Sequence, residues 1–397
     1  MLHTGRHFLQ IPGPTNVPDR ILRAMDHPVI DHRGPEFAQL TGEIFEGLRA
    51  LFKSSGPVII FPASGSGAAE AALVNTLSPG DRVLIFETGA FSLVWRQIAE
   101  RLGYQVDYVP GNWRRGASEV ELDSRLRADA ARTIKAVVVV HNETSTSVTS
   151  RLPDIRRVMN GAGHPALLIV DAVSSLASMD FRQDEWEIDV AVVGSQKGLM
   201  LPPGIGFNAV SEKALAASQT ARSSRSYWDW QEMLKTNRSG FFPYTPATNL
   251  LYALREALHM LAEEGLDAVF ARHDRHAAAA RAAVRAWGFE LVCEDPREYS
   301  SSLTAFFTPE GFDADRLRAL VLEHFDMSLG GGLAKLAGRV VRIGHLGSFN
   351  DLMLAGTLSG IEMGLRLAGM PHRAGGVMAA LDSLAPAIYE PAHSATA

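Results

Sequence analysis

Gly194-Ser195-Gln196-Lys197-Gly198-Leu199-Met200-Leu201-Pro202-Pro203-Gly204 follows directly on the apolar run Val190–Val193, and it carries a single charge. A lysine in an uncharged loop rich in Gly and Pro is unlike a lysine on a solvated helix face. Loss of water lowers its pKa and leaves a nucleophilic amine, as in a lysine that holds a carbonyl compound. Taken alone, the loop also admits a surface lysine. Upstream, Asp171 closes a second apolar run, Ala166–Val170. A carboxylate at the C-terminal end of a parallel strand lies where open α/β sheets bind ligands; the competing role is a turn or N-cap aspartate.

A third element is Ser64-Gly65-Ser66-Gly67, between the apolar run Val58–Phe61 and the helical stretch Ala68–Leu77. Glycines let backbone N–H groups approach an anion, and a helix N-terminus adds positive potential. Glu70 stands where a dinucleotide fingerprint needs its last glycine, and no Gly-Lys-Ser/Thr ending follows, so those two phosphate motifs lose weight. An ordinary tight turn remains open for this element by itself. Together the three supply a phosphate cradle, an acid at a strand end and, 26 residues further on, a lysine at the next strand end. Pyridoxal phosphate needs these parts: an anchor for the phosphate, an acid for the pyridinium nitrogen and an amine for the aldehyde.

The surrounding pattern agrees with such a site. Val58–Phe61, Val83–Phe86, Val106–Val109, Ala136–Val140, Leu167–Val170 and Val190–Val193 alternate with amphipathic segments, which predicts βαβ units and a parallel sheet. Phe37, Leu40, Ile44, Leu48, Leu51 and Phe52 recur at helical spacing, predicting a helix over Glu36–Lys53, and Phe91–Leu102 repeats the pattern. After Tyr244-Thr245-Pro246 come two Ala- and Leu-rich helices, Ala247–Glu264 and Leu266–Trp287, broken at Gly265. Phe289–Val292, Leu303–Phe307, Asp313–Phe325, Val340–Ile343 and Leu352–Leu367 then read as strand, strand, helix, strand, helix. The division expected is an N-terminal segment 1–15, a large domain 16–264 and a smaller α+β domain 265–397. The tail from Pro371 holds one short helix around Gly376–Leu384, and its last dozen residues are expected to be mobile.

Composition excludes several classes. The chain has 397 residues, 46% hydrophobic and 21% charged, which suits a folded soluble protein rather than a disordered or membrane one. Net charge is −6, without a basic run to track a phosphate backbone, so nucleic acid is not an expected partner. No stretch reaches the roughly 18 apolar residues of a spanning helix, and Pro12-Gly13-Pro14 would break a targeting helix. The single cysteine, Cys293, makes no intrachain disulfide and fits a reducing compartment, with the cytoplasm as default.

From Pro12-Gly13-Pro14-Thr15-Asn16 to about Gly369, the chain resembles a class V aminotransferase of PLP-dependent fold type I, within the serine–glyoxylate and alanine–glyoxylate transaminase group. Asp31-His32-Arg33, His141-Asn142-Glu143-Thr144, Gly194-Ser195-Gln196-Lys197-Gly198, Pro243-Tyr244-Thr245-Pro246 and Arg342-Ile343-Gly344-His345 carry the likeness. The resemblance implies an α/β fold: a large domain with a mostly parallel sheet flanked by helices, and a smaller C-terminal α+β domain. It implies that Lys197 holds the cofactor's aldehyde, that Asp171 pairs with the ring nitrogen, and that Ser66, Gly67 and Gln196 bind the phosphate. Phe91 falls where an aromatic ring stacks on the cofactor, and Thr144 where a hydroxyl reaches it. Tyr244 and Thr245 resemble the segment that reaches the phosphate from the neighbouring subunit of a homodimer, with a tetramer as the larger assembly.

Arg342 resembles the clamp for the substrate α-carboxylate, since a guanidinium meets a carboxylate through two parallel hydrogen bonds. Arg33 is the candidate second cation for a donor with a second carboxylate. His32, His141 and His345 stay open between structural and substrate-touching roles. The expected reaction is transamination from a small L-amino acid, serine first and aspartate or alanine as alternatives, to glyoxylate. A cysteine desulfurase would need a thiol on a C-terminal loop, and Ser328–Ala337 has none. A cofactor-free binding protein on the same scaffold is the rival from outside enzymology.

Overall fold

The computed structural model describes residues 5–389. Residues 390–397, most of the tail expected to be mobile, lie outside the described residues. The strands are β1 (Phe8–Gln10), β2 (Val58–Ala63), β3 (Arg82–Phe86), β4 (Gln105–Val109), β5 (Ile134–Val140), β6 (Asn142–Glu143), β7 (Val148–Thr149), β8 (Leu167–Asp171), β9 (Val190–Gly194), β10 (Gly204–Val210), β11 (Leu303–Phe307), β12 (Met327–Gly331) and β13 (Val340–Gly344). The first four helices are α1 (Asp19–Met25), α2 (Pro35–Phe52), α3 (Gly65–Thr76) and α4 (Ala90–Arg101).

All six apolar runs became strands of one seven-stranded sheet, in the order β2-β10-β9-β8-β5-β3-β4. From β9 to β4 neighbouring strands run parallel. Unbroken apolar strands are what a parallel sheet covered on both faces requires, and Leu168, Ile169 and Val170 of β8 are fully buried. β10 lies antiparallel between β2 and β9. Its Gly204, Gly206 and Asn208 hide it from an apolar-run search. They have a use, because a Cβ on Gly206 would stand 2.8 Å from the Ser64 carbonyl oxygen and 3.1 Å from the Ala68 Cβ, so the missing side chain lets α3 lie close on the sheet.

A second sheet, β1-β12-β13-β11, is built mainly from the C-terminal part of the chain. The segment Phe289–Val292, expected as a strand, makes only one bridge, Leu291 to Phe306. Arg114 takes the carbonyls of Leu291 (3.3 Å) and Val292 (3.0 Å), acceptors that a further strand would need. The helix Leu266–Trp287 spans both cores: Val269 packs among the buried residues of the large sheet, Ala279 to Trp287 among those of the small one.

The N-terminal segment is the element that composition reads worst. β1 pairs in parallel with β12. The chain then crosses to the large sheet, where the Thr15 N–H donates to the Gln196 carbonyl at 3.1 Å and the Thr15 hydroxyl to the Lys197 carbonyl at 3.1 Å. On its way it passes Gly344 at the end of β13 so closely that a Cβ there would run into the backbone of Ile11 and stand 2.8 Å from the Pro12 nitrogen. Backbone cannot step aside as a flexible side chain can. Gly344→Ala is therefore expected to lower the unfolding free energy by about 1–3 kcal/mol, read from urea denaturation, whereas an unchanged midpoint would show that the crossing is looser than described.

Candidate active site

The C-terminal ends of β5, β8 and β9 open on a cavity of about 260 Å³. Strand order and direction bring its walls together: Ser64, Gly65 and Ser66 follow β2, Phe91 and Trp95 stand on α4 after β3, Asp171 ends β8, and Gln196 and Lys197 follow β9. Of the residues nominated from sequence, Ser66, Phe91, Thr144, Asp171, Gln196 and Lys197 line it. Gly67 stands behind the lining, where a Cβ would press on Ala63 and Trp228 at 3.0 Å. Arg342 reaches the cavity through Thr144, whose carbonyl accepts from Nη1 at 2.9 Å.

Lys197 is buried, and its amine donates to the Pro12 carbonyl. A Cβ on Gly13 would lie 2.7 Å from Nζ, so the glycine makes room for the amine. Burial pulls the Lys197 amine down to about 8; the Arg342 charge adds to this and the Asp171 charge opposes it. Asp171 is pushed up by burial, against the Trp95 indole N–H on Oδ2 (2.8 Å), the Val173 N–H on Oδ1 (3.0 Å) and the Lys197 charge. Arg342 is likewise lowered, to about 10, by burial, with Glu143 opposing. Its Nε donates to the Gly331 carbonyl at 2.7 Å, and Nη2 has no protein partner among the described residues.

The other end of the cavity is arranged for an anion. Ser64, at the N-cap of α3, makes no side-chain cap, and Gly65 and Ser66 present the helix's first turn to the cavity. Beside them Gln196 lines the cavity with its Oε1 buried and unpartnered, and a turn of the amide would present its N–H donors to an anion.

The remaining nominees divide. His141 is tucked against the Ser175 hydroxyl (Nδ1 to Oγ 2.9 Å), and burial lowers it to about 4. His345 meets the Thr304 hydroxyl at 3.0 Å through Nε2, with Nδ1 unpartnered. Neither lines the cavity, nor does His32. Arg33 is exposed, and Tyr244 and Thr245 stand apart from the cavity of their own chain, with Tyr244 stacked on Tyr227 at 4.4 Å. Cys293 is buried elsewhere and burial pushes its thiol up to about 12, far from a nucleophile's range.

Sequence reasoning passed over Trp95, which lies one turn after Phe91 and so shares its helix face. It also gave Glu143 no role, although the side chain is fully buried and accepts four hydrogen bonds' worth of N–H and O–H donors from Phe91, Ser92 and Ser145.

A sequence model of the family described as aminotransferase class-V matches residues 7–337. The chain belongs to that family. A serine–glyoxylate aminotransferase of Methylorubrum extorquens is 46% identical, over 96% of this chain and 96% of that protein. An L-aspartate–glyoxylate aminotransferase of Paracoccus denitrificans is 43% identical, over 95% of this chain and 96% of that one. Among solved structures, the ureidoglycine–glyoxylate aminotransferase of Bacillus subtilis superposes with a TM-score of 0.88 at 30% identity, covering 96% of this chain and 99% of the other. The lysine-bearing cavity therefore belongs to an aminotransferase.

The Lys197 environment of this aminotransferase has a measurable consequence. Above its pKa an amine is neutral and reacts with aldehydes; below it is a cation and does not. Reductive methylation of the cofactor-free protein, followed by peptide mass spectrometry, is expected to label Lys197 half-maximally near pH 8. Arg342→Gln should move that midpoint upward by removing a like charge; a midpoint near the ordinary 10.5 would mean that the amine is solvated.

Proposed function

We propose that this aminotransferase uses pyridoxal 5′-phosphate to move an amino group from L-serine to glyoxylate, releasing hydroxypyruvate and glycine. The observation that carries the reading is the buried Lys197 amine, lowered to about 8 by burial and sharing one cavity with the Asp171 carboxylate and the uncapped first turn of α3. The residues fit the cofactor: the Gln196 side-chain N–H and the Gly65 and Ser66 backbone N–H groups suit a phosphate ester, Asp171 suits a cationic ring nitrogen, and Phe91 offers a ring at the cavity wall. When bound, pyridoxal phosphate supplies an electrophilic carbon for the donor's amine and an electron sink for its Cα.

The protein's own groups then divide the work. Lys197 Nζ would take the proton from the donor's Cα and hand it to the cofactor carbon that receives the amino group, and in the second half-reaction would carry a proton the opposite way, onto the Cα of glycine; an amine lowered to about 8 is suited to both moves. Asp171 keeps positive charge on the ring nitrogen. Arg342 pairs with the α-carboxylate through the part of its guanidinium left free of Gly331 and Thr144, and so fixes which Cα bond faces Lys197. The Thr144 hydroxyl, now donating to Ser174 at 3.0 Å, stands ready at the same wall.

Serine is favoured over aspartate because Lys197 is the one cation among the described residues that lines the cavity, with Arg342 behind Thr144. Arg33 is exposed on this chain. We further propose a homodimer, or a tetramer built from it, in which Arg33, Tyr244 and Thr245 of one copy approach the cavity of the other. Support comes from Tyr244, whose hydroxyl is buried without a partner on a segment that serves no site of its own chain. The cytoplasm is the compartment in which the lone buried thiol of Cys293 would stay reduced.

An absorption spectrum of the purified protein tests the whole reading. A visible band that bleaches with L-serine and returns with glyoxylate is expected, and Lys197→Ala should abolish turnover. Arg342→Gln should lower kcat/KM for serine by about 10-fold to 100-fold, the loss of a charge-assisted hydrogen bond. A protein that bleaches with aspartate and not with serine would move the donor; one without a chromophore after reconstitution would end the proposal.

A further inference from the structure

We infer that Trp95 is a positioning residue for Asp171 and that Glu143 sets Trp95 by clamping the first turn of α4; the inference rests on the reading of Asp171 as the partner of the cofactor's ring nitrogen. Asp171 is held by two donors from different elements. The Val173 N–H, on the chain just beyond β8, meets Oδ1 at 3.0 Å, and the Trp95 indole N–H, from α4, meets Oδ2 at 2.8 Å. With one donor the carboxylate is free to turn about its last bond. With both, its plane is fixed. Trp95 is 2% exposed, so the contact is a buried, charge-assisted one.

Trp95 is only as well placed as its helix. Phe91 and Trp95 are four residues apart on α4 and therefore share the face turned to the cavity. Rotation of α4 by one residue, about 100°, would carry the ring and the indole donor away together. The first turn of α4 is pinned by Glu143, which is fully buried. Its Oε2 accepts from the Phe91 N–H at 3.1 Å and the Ser92 N–H at 3.2 Å, and its Oε1 from the Ser145 N–H at 3.1 Å and hydroxyl at 2.6 Å. Every backbone partner donates, which suits an ionised carboxylate and complements the positive end of the helix. Room for it is made by Gly89, where a Cβ would lie 2.5 Å from the Glu143 Cδ. The charges around the two acids are those already described: Lys197 acts on Asp171, and Glu143 acts on Arg342.

The test reads the hydrogen bond directly in the cofactor-free protein. In ¹⁵N-tryptophan-labelled material the Trp95 indole signal, identified by its loss in Trp95→Phe, is expected far downfield and should move upfield in Asp171→Asn. Glu143→Gln, which keeps the size but turns an amide donor toward N–H groups, should shift or double that signal and leave the other indole signals in place. Where Trp95→Phe fails to fold, the response to Asp171→Asn identifies the signal instead. A Trp95 indole signal indifferent to Asp171→Asn would overturn the first contact, and one indifferent to Glu143→Gln would overturn the clamp. After reconstitution, Trp95→Phe should retain pyridoxal phosphate about 10-fold to 100-fold less tightly and lower kcat with little change in the KM for serine; unchanged retention and kcat would remove the positioning role even with the hydrogen bond intact. A protein that takes no cofactor would overturn the reading of Asp171 while leaving the indole result unaffected.

Discussion

Two cations and two carboxylates are buried around one cavity, and the rest of the site follows from keeping them there. Lys197 and Arg342 are both lowered by loss of water, and Asp171 and Glu143 are both raised by it. An ion taken from water costs several kcal/mol even after relaxation, so none of the four can be left without partners. Asp171 has an indole and a backbone N–H, Glu143 the start of a helix, Arg342 two carbonyls, and Lys197 the carbonyl of Pro12. Each cation also has a carboxylate whose charge it feels. The set is neutral by pairs, and each member is fixed by backbone that belongs to a different element.

That distribution ties the two sheets together. Gly331, whose carbonyl holds Arg342, ends β12, and β12 is paired with β1. A few residues beyond β1, Pro12 meets the Lys197 amine, and Thr15 bonds the loop that carries it. The second sheet thus delivers both the arginine and the cover over the lysine. A shift of that sheet against the first would disturb both cations at once, and this is why Gly13, Gly330 and Gly344 crowd the path of the N-terminal segment: a Cβ on Gly330 would stand 2.8 Å from the Pro12 ring.

Much of this was legible in the order of residues, because the large sheet is built from local signals. Apolar runs bounded by turns became its six parallel-oriented strands, and Asp171 and Lys197 sit at the ends of two of them, where strand direction alone puts them on one edge. What stayed hidden depends on contacts between distant residues. β10 is interrupted by glycines whose reason is the approach of α3. β1 is three residues long and acquires meaning only when β12, more than three hundred residues later, lies beside it. Trp95 looks like one more apolar position in an amphipathic helix until Asp171 is opposite its N–H. Glu143 sits in a quoted motif, yet its function is to meet the N-terminus of α4, fifty residues earlier in the chain.

The choice of donor turns on the same charge balance. A second carboxylate on the substrate would enter a cavity whose one lining cation among the described residues, Lys197, already offsets Asp171, and a carboxylate taken from water without a partner costs several kcal/mol. A hydroxyl asks only for one hydrogen bond, worth about 1 kcal/mol. The interior of a single chain therefore disfavours a dicarboxylic donor unless another cation arrives. Arg33 is the nominated one, and on its own chain it faces outward. The choice between serine and aspartate thus rests on a single cation's worth of charge at the cavity mouth, and relatives at 43% and 46% identity carry different donors in their names.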